Sequence, residues 1–267
     1  MGAVSSSSDT FDDKNAIAEA FGRAAQTYDT HAQLQRDVGQ RLMAQLPADM
    51  RGMRVLDLGC GTGYFSLQLL NRGATVVCAD LSSHMLRRAQ VRCTSPRASF
   101  IRVDAESLPF SDGEFDVVFS SLALQWCRDL SVPLCQARRV TKPGGLIVFS
   151  TLLKGTLCEL EAAWAQVDQC QHINQFITYN QVKVALAQAS CTHNALDLPT
   201  IVMWYSSALA VMRDLKGIGA THVAGRGQGL TSRQTLRQVE SAYQEFRSQE
   251  GLLPATYQVC LGVIQHD

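Results

Sequence analysis

Residues 53–63 read Met53-Arg54-Val55-Leu56-Asp57-Leu58-Gly59-Cys60-Gly61-Thr62-Gly63. A short apolar run ends in Asp57, three alternating glycines follow, and residues 64–70 carry an amphipathic helical pattern. That order describes a buried strand, a tight turn and a helix N-terminus. Glycine lets backbone N–H groups approach a ligand closely, and the helix dipole adds partial positive charge there. A dinucleotide fingerprint needs glycine as G-x-G-x-x-G. Counted from Gly59, its third glycine would fall on Tyr64; counted from Gly61, on Phe65 or Ser66, so neither frame fits.

Outward from this turn, strand patterns at 55–58, 75–79, 99–103, 115–120 and 146–151 alternate with helical patterns at 64–71, 82–91 and 130–140. The alternation predicts an α/β, doubly wound, mostly parallel Rossmann-like sheet, with ligand groups at the carboxyl ends of the strands. Upstream, Ile17, Phe21, Ala24 and Tyr28, then Val38, Leu42 and Leu46, repeat at helical spacing and predict two N-terminal helices, ended by Pro47. Downstream, helices are expected at 158–167 and 181–189. Residues 200–205 and 257–264 read as strands six and seven of a seven-stranded sheet. The stretch between them, 206–255, is too long for a plain hairpin connection and predicts a helical lid or binding insertion. The expected organisation is therefore a disordered lead-in at 1–12 and one domain over 13–267. Within it, 13–50 holds the N-terminal helices and 51–152 the cofactor-binding core.

Composition excludes several classes. Lys and Arg balance Asp and Glu at zero net charge, which gives no global signal for nucleic-acid binding. No apolar run approaches membrane-spanning length. The start of the chain joins no basic region to an apolar core, so no secretory leader is expected. Nine cysteines form no C-x-x-C pair and are odd in number, which predicts reduced thiols in a cytoplasmic protein and no metal site.

The strand ends carry the chemistry. The spacing Asp57-x-Gly59-x-Gly61-x-Gly63 resembles motif I of class I S-adenosylmethionine-dependent methyltransferases. The resemblance implies that the glycine turn cradles the amino-acid end of S-adenosylmethionine, with Asp57 beside it. Asp80, at the tip of the second strand, is an acidic group able to accept both ribose hydroxyls. Leu81 and Met85 would pack on adenine and ribose, and Asp104-Ala105 would lie against adenine. Ser120-Ser121-Leu122, at the end of the fourth strand, would lie beside the sulfonium.

Two further segments narrow the family. Phe21-Gly22-Arg23-Ala24-Ala25-Gln26-Thr27-Tyr28-Asp29 and Leu215-Lys216-Gly217-Ile218-Gly219-Ala220, with Leu253-Pro254-Ala255-Thr256-Tyr257, resemble the malonyl-[acyl-carrier protein] O-methyltransferases of biotin synthesis. This resemblance implies methylation of the free carboxylate of a malonyl thioester, borne by acyl-carrier protein or coenzyme A. A guanidinium fork suits that carboxylate. Arg213 is the first candidate, with Lys216, His222 and Arg226 behind it. Tyr28 is a candidate for closing over the cofactor or donating to the carboxylate, and Gln35 and Arg23 stand in the same position. An acidic carrier would meet a basic face: Arg87, Arg88 and Arg92, or Arg138, Arg139 and Lys142, or Arg233 and Arg237. Methylation of another small carboxylic acid or a quinone precursor explains 53–151 equally well but not the outer segments. A nicotinamide oxidoreductase is disfavoured by the glycine spacing, and a cofactor-binding regulator would bind without transferring.

Overall fold

β1 (Arg54–Leu58) lies at the centre of the sheet, parallel to β2 (Thr75–Asp80) on one side and β4 (Phe115–Ser120) on the other. The computed structural model describes residues 7–220 and 232–267. β3 (Ala98–Arg102) extends the sheet beyond β2, and β5 (Thr141–Leu152) extends it beyond β4, both in parallel. The strand order therefore reverses between β1 and β4, and a crevice opens there at their carboxyl ends. Successive residues of β1 face opposite sides. Val55 joins Val76 and Phe119 beneath α3 (Gln33–Met43), α4 (Tyr64–Asn71) and α5 (Ser83–Arg92). Leu56 joins Val77 and Val118 against α6 (Ser131–Val140) and α8 (Tyr179–Gln188). Burial on both faces is why these strands are apolar runs rather than alternating ones.

The far edge is antiparallel. β8 (Leu253–Gln265) pairs with β5 on one side and, on the other, with β6 (His193–Asp197) and β7 (Thr200–Tyr205). The β6 and β7 registers continue one another along β8, and the break between them falls at Pro199, which has no N–H to give. β6 raises the described strands from the expected seven to eight. Its sequence, His-Asn-Ala-Leu-Asp, is mostly exposed and carries no apolar alternation. The insertion between β7 and β8 holds α9 (Ala208–Gly217) and α10 (Arg233–Tyr243), as expected of a helical segment there.

The N-terminus departs from expectation. α1 spans Ser7–Ala24, so helix already covers 7–12 of the expected lead-in. Two expected helices are three: α1, α2 (Tyr28–His31) and α3. The interruption sits at Thr27, whose hydroxyl donates to Ala24 O and to Gly217 O. A side chain that bonds the backbone in this way competes with continued helix. α7 (Cys158–Ala165) and α10 complete the layer over β8. Among the described residues no helix is long and apolar enough to cross a membrane.

α1 and α2 meet the end of α9 at very close range. A Cβ on Gly217 would fall 2.2 Å from the His31 ring, and one on Gly219 (φ +81°) would fall 2.9 Å from Ala20 O and from Phe21 Cα. His31 Nδ1 lies 2.6 Å from Asp214 Oδ1 across the same joint. Gly219→Ala is therefore expected to lower stability by about 1–3 kcal/mol through backbone strain and the added clash. Gly52→Ala, at φ +80° with nothing within 4 Å, isolates the strain alone. Thermal unfolding of both variants checks this: equal losses would mean the joint has room to spare.

Candidate active site

Each glycine of the turn has a separate reason to lack a side chain. Gly59 (φ +77°) would place a Cβ 2.3 Å from that of Ala123, and Gly63 (φ +78°) one 3.0 Å from Ala89 on α5. Gly61 (φ +54°) faces open space. Gly59 N–H and Cys60 N–H both donate to Ala79 O, at 2.8 and 3.0 Å, and Gly63 N–H donates to Cys60 O at 2.9 Å. Gly61 N–H donates to Asp80 Oδ2 at 2.9 Å. None of these four donors is left for a ligand, which corrects the expectation that glycine N–H groups would do the cradling.

Asp57 is buried beneath the turn and accepts from the Ser66 hydroxyl at 2.5 Å. Burial pushes its carboxyl up to about 7, against the opposing pull of Ser66. Asp80 also accepts from Ser82 N–H at 2.7 Å, and burial raises its carboxyl too. Tyr28 is held over the turn by its neighbour. Asp29 accepts from Thr62 Oγ1 at 2.7 Å and from Arg92 at 2.5 Å. Burial opposes ionisation of Asp29, but Arg92 and Thr62 hold its carboxyl below the usual range.

Three adjoining cavities surround Tyr28, each bordered by that side chain. The first, about 820 Å³, lies between α1 and the strand ends and is lined by Gly59, Gly61, Asp80, Leu81, Met85, Asp104 and Ala105. The second, about 470 Å³, adjoins Asp57, Gly59, Gly61 and Tyr64. The third, about 670 Å³, is lined by Gln35, Gln125, Trp126, His172, Leu215 and Ile218, among others. Lys14 of α1 closes over the first, bonded to Asp104 Oδ2 at 2.5 Å and to Glu106.

The expected site residues therefore divide. Tyr28, Asp57, Gly59, Gly61, Asp80, Leu81, Met85, Asp104 and Ala105 come together. Gly63 serves helix packing instead. Ser120 is buried and donates to Leu58 O at 2.8 Å, while Ser121 lines the first two cavities. Arg213 and Lys216 are exposed on the outer face of α9, whose inner face presents Leu215 and Ile218 to the third cavity. His222 and Arg226 lie outside the described residues. Of the basic faces, Arg92 is bound to Asp29 and Thr62, Arg139 to Leu108 O, Phe110 O and Asp112, and Lys142 to Asp116. Arg87, Arg88, Arg233 and Arg237 remain exposed. Arg23 is exposed too, whereas Gln35 lines two of the cavities. Lys14, Gln125, Trp126 and His172 border the cavities without having been anticipated, whereas Ser121 and Leu122 line the first as expected.

A crevice at the β1–β4 switch point, floored by a glycine turn and an acidic strand tip, defines a methyltransferase of the Rossmann-like class. Residues 56–149 match the family model described as a methyltransferase domain. The fold is similar to that of geranyl diphosphate C-methyltransferase from Streptomyces coelicolor A3(2), at 16% identity and a TM-score of 0.52, over 87% of this chain and 80% of that one. The chain is 42% identical to malonyl-[acyl-carrier protein] O-methyltransferase of Serratia marcescens, over 99% of this chain and all of that one. It is also 42% identical, over 92% of its length, to 49% of the biotin biosynthesis bifunctional protein BioHC of Cellvibrio japonicus. This chain belongs to the malonyl-[acyl-carrier protein] O-methyltransferase family.

Gly61→Ala is expected to fold, losing about 1 kcal/mol for its left-handed backbone, yet to lose cofactor binding because the methyl group enters the cavity. Gly59→Ala should lose more stability because it strikes Ala123. Calorimetric titration with S-adenosylhomocysteine beside thermal melts separates the two effects; undiminished binding by Gly61→Ala would remove this turn from the site.

Proposed function

We propose that this chain transfers the methyl group of S-adenosylmethionine to the free carboxylate of a malonyl thioester carried by acyl-carrier protein, at the entry to biotin synthesis. The identity over nearly the whole length of the Serratia relative, outer segments included, carries this reading. The site's own residues fit the cofactor. The first cavity would take its adenosine, with Asp80 on the ribose and Leu81, Met85, Asp104 and Ala105 around adenine. The second would take the amino-acid end beside Asp57 and the glycine turn, which offers carbonyls and a buried carboxyl to an ammonium group. The third adjoins both through Tyr28 and is left for the acceptor. When bound, S-adenosylmethionine supplies an electrophilic methyl group on a sulfonium.

The reaction asks little proton chemistry of the protein. A malonyl carboxylate is already ionised at neutral pH, so no general base is needed. The chain's task is to hold the attacking oxygen in line and exclude water, an arrangement worth up to about 7–11 kcal/mol in favourable cases. Burial raises the Tyr28 hydroxyl, so it stays a neutral donor above the carboxylate. On the acceptor side α9 and the turn after it put Leu215 and Ile218 on the cavity wall. Gln125, Trp126, Leu152 and Phe176 line both the third cavity and an open groove of about 1140 Å³, which gives a thioester arm a way in from the surface. Nine free thiols among the described residues suit a cytoplasmic setting.

Intact-mass analysis of malonyl-loaded carrier protein after incubation with enzyme and S-adenosylmethionine is the direct test. A gain of one methyl group, removed by an esterase and absent with acetyl-loaded carrier, is the expected result. No gain, with cofactor binding intact, would move the acceptor to another small acid.

The raised Asp57 carboxyl also makes cofactor binding pH-dependent. Its native value of about 7 lies above the usual carboxylate range near 4, so between these limits the native state holds a proton that the unfolded state has lost. Stability of the unliganded protein from this group therefore falls as pH rises through that window. Pairing with the cofactor ammonium demands the ionised form, so affinity for S-adenosylhomocysteine should weaken as pH drops below about 7, approaching tenfold per pH unit for one proton. A flat profile from pH 5.5 to 8, measured by calorimetry, would break the Asp57 assignment.

A further inference from the structure

Among the described residues, five buried side-chain polar atoms have no hydrogen-bond partner, and three of them belong to one cavity: Gln35 Oε1, Gln125 Oε1 and His172 Nδ1. Unpaired buried polar atoms are costly and uncommon in folded proteins. Three of the five come from residues that line a single cavity.

His172 is the best defined of the three. Its side chain is nine-tenths buried, and its ring stacks on Trp164 with centroids 3.6 Å apart and planes at 11°. Nε2 lies 2.8 Å from Asp168 Oδ1. The Cys170 N–H and His172 itself hold the Asp168 carboxyl below its usual range, so Asp168 is a carboxylate and accepts from Nε2–H. That fixes the tautomer and leaves Nδ1 as the ring's unpaired polar atom. Tyr28 and Tyr257 are the other titratable side chains on the wall, and burial raises both hydroxyls, so both stay neutral. No lysine or arginine among the described residues lines this cavity. His172 is thus the one described side chain there able to become cationic.

We infer that the Asp168–His172 pair receives the free carboxylate of the malonyl thioester, with His172 Nδ1–H donating to the carboxylate oxygen that is not methylated. The inference rests on the malonyl-thioester reading above and replaces the arginine fork expected on α9. The incoming carboxylate favours a second proton on the ring, which then sits between two anions, Asp168 and the substrate. As the attacking oxygen forms its bond to the methyl carbon, the carbon–sulfur bond breaks and its electron pair stays on sulfur. The product ester is neutral, the imidazolium loses its second anion, and its extra proton returns to solvent. An acetyl thioester has no carboxylate for this pair to hold, which makes the pair a specificity determinant. Gln35 and Gln125 offer acceptor oxygens to the N–H groups of the arm behind the thioester.

Two variants of the full chain test the assignment. His172→Phe keeps the stack on Trp164 and removes the donor; Asp168→Asn keeps the ring and removes its anionic partner. Steady-state kinetics with malonyl-loaded carrier protein and calorimetric binding of S-adenosylhomocysteine are measured on both. Expected is a rise of about 10–100-fold in KM for the malonyl thioester, the range for losing a hydrogen bond to a charged group, with cofactor-product affinity changed by less than about twofold. An unchanged KM in either variant, or a loss shared equally with S-adenosylhomocysteine binding, overturns the inference. If the wild-type enzyme leaves malonyl-carrier protein unmethylated, the functional reading itself falls, and that outcome is visible before any variant is made.

Discussion

The bond from Gly61 N–H to Asp80 Oδ2 is the constraint on which the rest of the site depends. It ties the turn after β1 to the tip of β2, and only a left-handed residue without a side chain can make it while leaving space above. Ala79 O takes two more N–H groups of the same turn. The turn is thus rigid before any ligand arrives, and its donors are spent on the fold. What it presents is a missing side chain, carbonyl oxygens and two buried carboxyls, surroundings that suit a cationic ligand end better than an anionic one. This is the physical difference from dinucleotide sites, where the turn gives its N–H groups to a pyrophosphate.

The N-terminal helices are part of the site because charge pins them to it. Asp29 bonds Thr62 of the turn and Arg92 of α5, and Lys14 reaches Asp104 and Glu106 beyond β3. Tyr28, next to the first of these clamps, ends up where the three cavities meet. The same helices accept α9 through Gly217 and Gly219, so segments about 190 residues apart in sequence share one joint. The two stretches that carry the family resemblance therefore act together, as opposite faces of one packed contact beside the third cavity.

The alternation of strands and helices in 53–151 was legible because parallel strands buried on both faces leave unbroken apolar runs, and because Gly59, Gly61 and Gly63 punctuate the first of them. Asp57, Asp80 and Asp104 were legible for a related reason: an acidic residue at the end of an apolar strand must lie at the carboxyl edge of the sheet. β6 was not, since an exposed edge strand of polar residues carries no periodicity.

Position along the chain thus follows from sequence, and the direction a side chain faces does not. Ser120 and Ser121 are adjacent, yet one bonds Leu58 O in the core and the other lines the cavities, because the residue on which β4 ends settles which serine turns inward. Arg213 has the charge a carboxylate wants, but the packing of α9 on α1 and α2 turns Leu215 and Ile218 inward and leaves the arginine in solvent. Arg92, Arg139 and Lys142 read as a surface and are bound within the fold. His172 lies in a stretch with no periodic signal, and only the folded chain sets its ring against Trp164 and Asp168 with a nitrogen left unpaired. By itself the sequence determined the parallel strands, the glycine turn and the acidic strand ends, all of them local patterns. The third cavity is built from elements far apart in sequence, whose relative orientation is set by packing and by paired charges, and so only the tertiary structure decided it.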